Sequence, residues 1–382
     1  MRRKLFVITA FFMCIFTSLS HAEAATSVKA VMTDSSPSRL TATKRVAITN
    51  VMVSFQASAG GEKTNTSGLF AAKTDASSTL QMPDMDSKLL AEIADDIYVQ
   101  LKADLAANGF EVLPESTVLV SPAYKKIIAA AGITNFSKFS NMHGDVMLVG
   151  ASGLQPYLPY NAETGKFGTP SKSLIKGWIG GWGSKSSTEG GPSGISIAEI
   201  YALPGLEVDL AKELNANLIK ATYVVTLGSA KASVERFTGT HQDIHGNTGF
   251  SSTHTGSAFA QAGLLAGQSR IAFRTPSANA KGESAPGGYT SNFGSNASPA
   301  KDGDVVVTFS ESLMGGTDFF SVVEPEATEK PGLLGALLGA SIGTGADTQF
   351  IFTAKISDPK AYRTEVVSMV KLVQRDMLAL IK

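Results

Sequence analysis

Between Asp84 and Pro114, apolar residues recur at Leu90, Ile93, Ile97, Leu101 and Leu105. A spacing of three or four puts them on one face of a helix. Asp84 or Asp86 can cap its start, and Gly109 stands where a left-handed stop is expected. Phe110, Val112 and Leu113 then read as a short strand. The closing stretch repeats the helical pattern, with Asp358 as cap, Pro359 in the first position and a stripe of Val366, Val370, Val373, Met377 and Ile381. Arg375 and Lys382 suit the negative pole of that helix. Two shorter helices are expected between these. One is bracketed by Ser121, Pro122 and Gly132 and faced by Tyr124, Ile127 and Ile128; the other covers 207–216.

The strand pattern is of two kinds. Arg45–Phe55 is β-branched and almost continuously apolar, as a strand buried on both faces should be. Asp145–Ala151 and Leu218–Gly228 have the same central look. Ala230–Phe237 reads as the antiparallel neighbour of the latter, with Ala232, Val234 and Phe237 as its apolar positions. Ser269–Arg274, Asp304–Ser310, Phe319–Val323 and Gln349–Ile356 are further strands, with a turn at Gly315-Gly316 joining the second and third of these. Gln56–Pro83 is polar, contains Gly60-Gly61 and reads as a long loop. Two excursions, about 155–196 and 238–302, are rich in Gly, Ser, Pro and Thr. A structureless loop as long as the second is unusual in a compact domain, so part of it is expected to be hairpin and part disordered. The expected fold is α/β (α+β): a mixed sheet packed by amphipathic helices, one domain over 45–382, with long Gly/Ser-rich insertions.

Composition places this fold outside the cytosol. Arg2, Arg3 and Lys4 precede the apolar run Leu5–Phe16, and small-x-small cleavage patterns follow at Ser20–Ala22 and Ala22–Ala24. Residues 1–24 therefore read as a secretory signal peptide, and 25–44, rich in Ser, Thr and Ala, as a flexible tether. The single cysteine, Cys14, lies in the leader behind Phe12 and Met13, without the small-residue context of a lipid-attachment site. A mature chain without cysteine has no disulfide or thiol chemistry. Basic and acidic residues number 33 each, so no net charge draws the protein to nucleic acid. The expected location is periplasmic or secreted.

Candidate chemistry is sparse. His241, His245 and His254, with Asp243 among them, gather three of the five histidines in one loop. His241 and His245 have the spacing that pairs two imidazoles on a helix for zinc or copper, although the glycine-rich flanks argue for a solvated polar loop instead. No HExxH sequence is present, which excludes that protease class. Gly339–Gly343 matches GxSxG around Ser341, yet no histidine follows His254 to deprotonate the serine. Gly335, Gly339 and Gly343 fall every fourth residue in an apolar run, a smooth surface for close packing if helical; a glycine-rich loop on its own core is the alternative. Trp178 and Trp182, in a Gly/Lys setting, can stack on a ligand or rest on a membrane surface, and Tyr157 and Tyr160 extend that aromatic surface. Glu92, Asp95 and Asp96 lie off the apolar stripe of the first helix and read as a solvated face. No cofactor is called for.

The segments RVAITNVMV (45–53), the helix-to-strand passage Leu101–Leu113, Asn215–Gly228 and the closing helix together resemble the periplasmic α/β family of envelope-assembly factors. That family includes the curli-secretion protein CsgG and the amino-terminal domain of TolB. The resemblance implies no enzyme activity and a partner-binding or assembly role, with specificity in the insertions. The expected function is thus a non-enzymatic exported envelope protein that binds a protein partner or itself, with membrane-surface or lipid contact possible. The alternatives are a carrier of an apolar or lipid-like ligand, using the tryptophan loop and Gly332–Gly345, and a secreted metal-dependent hydrolase.

Overall fold

The computed structural model describes residues 27–32, 40, 43–65, 74–141, 144–157, 160–161, 166–167, 197–242, 248–277, 304–323, 328–330 and 347–381. In chain order the elements are β1 (Ala30–Met32), β2 (Arg45–Gln56), β3 (Ser58–Asn65), β4 (Thr74–Gln81), α1 (Ser87–Ala107), β5 (Glu111–Val112), α2 (Glu115–Val120), α3 (Pro122–Ala131), β6 (Ser137–Asn141) and β7 (Gly144–Gly150). They continue with β8 (Tyr160–Asn161), β9 (Lys166–Phe167), α4 (Ile197–Leu214), β10 (Asn217–Gln242), β11 (Thr248–Leu264), β12 (Arg270–Arg274), β13 (Val305–Phe309), β14 (Leu313–Met314), β15 (Phe320–Val323), β16 (Thr328–Lys330), β17 (Asp347–Ile356) and α5 (Pro359–Ala379).

The fold is α/β with mixed sheets. The larger sheet runs β1-β13-β12-β10-β2-β7-β6, with β5 beside the start of β2. Strand β2 is parallel to β10 and antiparallel to β7. On one face, α1 and α5 bring Leu90, Ile93, Ile97, Val366, Val370 and Val373 against Val46, Val51, Val53 and Tyr223. On the other, α3 and α4 bring Tyr124, Ile127 and Leu210 against Ala47, Met52 and Leu218. Helices on both faces are why β2 is apolar almost throughout. The ladder slips between Ile219 and Lys220, which pair with Ile48 and Asn50 and leave Thr49 as the extra residue of a bulge. The slip keeps Val46 and Ile48 on the same face as Val51, Val53 and Phe55.

The expected caps are in place, whereas the last turn of α5 holds no basic residue: Arg375 lies before it and bonds Asp376. Asp86 accepts hydrogen bonds from the backbone N–H groups of Lys88 and Leu89, Gly109 takes φ +80°, and Asp358 caps α5. Asp86→Ala should lower stability by about 1 kcal/mol, the usual cost of a lost N-cap, read from urea denaturation. The carboxylates of α1 are structural partners. Arg363 of α5 binds Asp96 through Nε at 2.7 Å and also bonds Glu92. Asp95 accepts from the backbone N–H and hydroxyl of Ser152 at 2.6 and 2.9 Å.

A second sheet, β15-β17-β4-β3 with β16 also on β17, corrects several expectations. The stretch read as a loop at 56–83 contains the antiparallel pair β3–β4. Ala230–Phe237 is not a returning strand; β10 runs unbroken through it, and its partner is β11, inside the second excursion. Strands β13 and β15 belong to different sheets instead of sharing a turn. Within the stretch read as tether, β1 pairs with β13. Helix α4 begins at Ile197, well before the expected start. These strands escape notice because their core is made of small residues: Ala59, Ala230, Ala260 and Ala354 pack with Leu80, Leu227 and Phe352.

Candidate functional site

The first feature is a long two-stranded ribbon. Strand β10 leaves β2 after Val225 and goes on to Gln242, paired with β11. The bend is at Gly228, where φ is +133° and an added Cβ would meet the Phe259 carbonyl oxygen at 2.0 Å. Only glycine fits such an approach. One face of the ribbon covers the second sheet through Leu227, Ala230 and Ala260. The opposite face presents Lys231, Ser233, Ser257 and Phe259, the last 52% exposed. Among the described residues, 228–242 of β10 and 248–261 of β11 pair with no strand but each other, while the Ser257 carbonyl accepts from Ser78 Oγ and the Ala262 carbonyl from the Gly315 N–H.

The second feature is a buried cluster of four charges. Lys220, the fourth residue of β10, places Nζ 2.8 Å from Asp304 Oδ2 and 3.1 Å from Glu207 Oε2. Arg274, the last residue of β12, places NH2 2.8 Å from Asp304 Oδ1 and Nε 3.0 Å from Glu207 Oε2. The four side chains are 0–2% exposed. Tyr157 joins them: its hydroxyl donates to Glu207 Oε1 at 3.2 Å and lies 2.9 Å from Thr49 Oγ1 of the bulge. Asn50 donates to the Tyr157 carbonyl oxygen at 2.6 Å. Burial, then the nearby Glu207 charge, push the Tyr157 phenol well above its ordinary range. Two cations offset two anions, which is how charges are kept away from water. In sequence, Tyr157 lies at the start of the first insertion and Glu207 beyond its end, and Arg274 and Asp304 flank the 278–303 segment.

Tyr157 is therefore not part of an exposed aromatic surface; it is a wholly buried anchor for the bulge of β2. Tyr160, three residues further on, is in β8, paired with Phe167 of β9. His241 and His254 are on strands, not a helix. His241 pairs with Gly249 and His254 with Val234. The five-residue offset along β11 separates their backbones by roughly 16 Å at the usual strand rise, too far to share one ion. Among the described residues, no group of three or more His, Cys, Asp or Glu is placed to hold a metal. Trp178, Trp182, His245, Gly335, Gly339, Gly343 and Ser341 lie outside the described residues.

Comparison with protein-family models, with curated proteins and with solved structures returned no match. Among the described residues, no helix is long and apolar enough to cross a membrane, which says nothing of membrane barrels built from strands. The charge cluster was missed from sequence because its members come from separate elements. The available signal was Lys220 itself, a lone charge inside the apolar run LIKATYVV.

Proposed function

We propose that this chain is an exported, non-enzymatic envelope protein that binds a protein partner or a second copy of itself, with the β10–β11 ribbon as its contact element. The observation that carries the reading is the long distal edge of the ribbon, along which no other described strand pairs. Unpaired strand edges offer main-chain donors and acceptors to another extended chain, and folded proteins usually shorten or cover them. Here they extend from a rigid, doubly covered sheet. The leader-like start of the sequence supports export.

The test is fractionation of cells expressing the full chain, followed by sedimentation of the purified protein across a concentration range. A variant in which an Asn-Gly turn joins Lys231 to Ser257 removes the distal ribbon at a register pair. Export into the envelope fraction is expected for both forms, with self-association or retention of a stoichiometric envelope protein lost on truncation. A chain that stays in the cytosol, or a monomer whose associations are the same with and without the ribbon, would overturn the proposal.

A further inference from the structure

Strand β10, β12, helix α4 and the residue ahead of β13 bring Lys220, Arg274, Glu207 and Asp304 into one dry contact. The arrangement suits more than ion pairing. An amine and a carboxyl group are hydrogen-bonded, a second carboxylate touches the same amine, and a guanidinium lies within ion-pair distance of the other oxygen of the first. We propose that Lys220 and Asp304 condense into an intramolecular amide bond, with Glu207 moving the proton and Arg274 steadying the oxyanion. This inference is independent of the partner-binding reading.

The reacting groups are in place: Nζ of Lys220 is 2.8 Å from Oδ2 of Asp304, one bond from the carbon it would attack. Groups fixed at such separations react as though present at very high concentration. The proton balance closes within the cluster. Transfer of one proton from the Lys220 ammonium to the Asp304 carboxylate gives the neutral amine and neutral acid from which condensation proceeds. Arg274 and Glu207 remain as a balanced pair at 3.0 Å. The amine lone pair adds to Cγ of Asp304, and the negative charge that develops on Oδ1 meets Arg274 NH2, 2.8 Å away. Glu207 Oε2, 3.1 Å from Nζ, takes a proton from the nitrogen and returns it to the departing Oδ2 hydroxyl. The C–Oδ2 bond breaks and water leaves. Glu207 ends as it began, and no oxidant or other co-reactant enters. The bond would close a loop between residues 84 apart in sequence.

Intact mass spectrometry of the full-length expressed protein decides the matter. The main species is expected to be lighter than its processed sequence by one water, and a digest should yield a branched peptide carrying both Lys220 and Asp304. Lys220→Arg and Glu207→Gln should show the uncondensed mass. Asp304→Asn should form the same bond by expelling ammonia and so reach the wild-type mass. Wild-type protein at the uncondensed mass, with Lys220 and Asp304 in separate peptides, overturns the proposal, as does a water loss mapped to other residues. Because the wild-type mass is decisive alone, the result stands even where a variant does not fold.

Discussion

Replacing Arg274 with Met is expected to cost about 3–5 kcal/mol of folding stability, the usual penalty for removing one partner of a buried ion pair. Arg274 is 0% exposed and lies within ion-pair distance of both Glu207 and Asp304. Its loss leaves a buried carboxylate short of a cation, and no solvent is at hand to compensate. The penalty belongs to the stranded charge and not to the lost contact. The double variant Arg274→Met/Glu207→Leu should therefore recover a substantial part of it. Chemical denaturation of the single and double variants measures both. A single-variant loss below about 1 kcal/mol would mean that water reaches the cluster and that the charges are effectively exposed.

Gly228→Ala is expected to destabilise by roughly 2–4 kcal/mol, from a backbone angle unsuited to L side chains and from steric overlap. The new methyl would lie 2.0 Å from the Phe259 carbonyl oxygen and 2.9 Å from Ala260 Cα, both backbone atoms that cannot swing aside. The strain falls at the junction between the larger sheet and the ribbon. Amide exchange should accordingly rise most along 229–242 and 248–260, with α1 and α5 much less affected. A uniform rise across every element would show that ribbon and body unfold as one cooperative unit, instead of as separable parts.

The elements legible in the sequence are those with a strong one-sided or two-sided burial pattern. Helices α1 and α5 bury single stripes, and β2 is sandwiched, so Ile93, Ile97, Val370 and Val53 announce their positions. Strands β3, β4 and β11 do not, because Ala59, Ala76 and Ala260 face the core where a larger residue would have made the alternation visible. Between them lie Ser, Thr and Gly, which loops share. The site was less legible still. Tyr157 sits among prolines and glycines typical of a surface loop, yet the bulge at Thr49 and Asn50 draws it inside. Register decisions of that kind depend on residues more than a hundred positions away, and no local window contains them.

Strand β10 is 26 residues long, pairs in the larger sheet and packs on the second through Leu227 and Ala230. At the usual rise its contour length is roughly 80 Å, and one main chain runs from the ribbon through the bend at Gly228 into the body. A pull on the tip along β10 would load the β2–β10 rungs in shear, all at once, instead of peeling them singly. Mechanical load at the tip would thus reach Lys220 and its neighbours directly through the main chain.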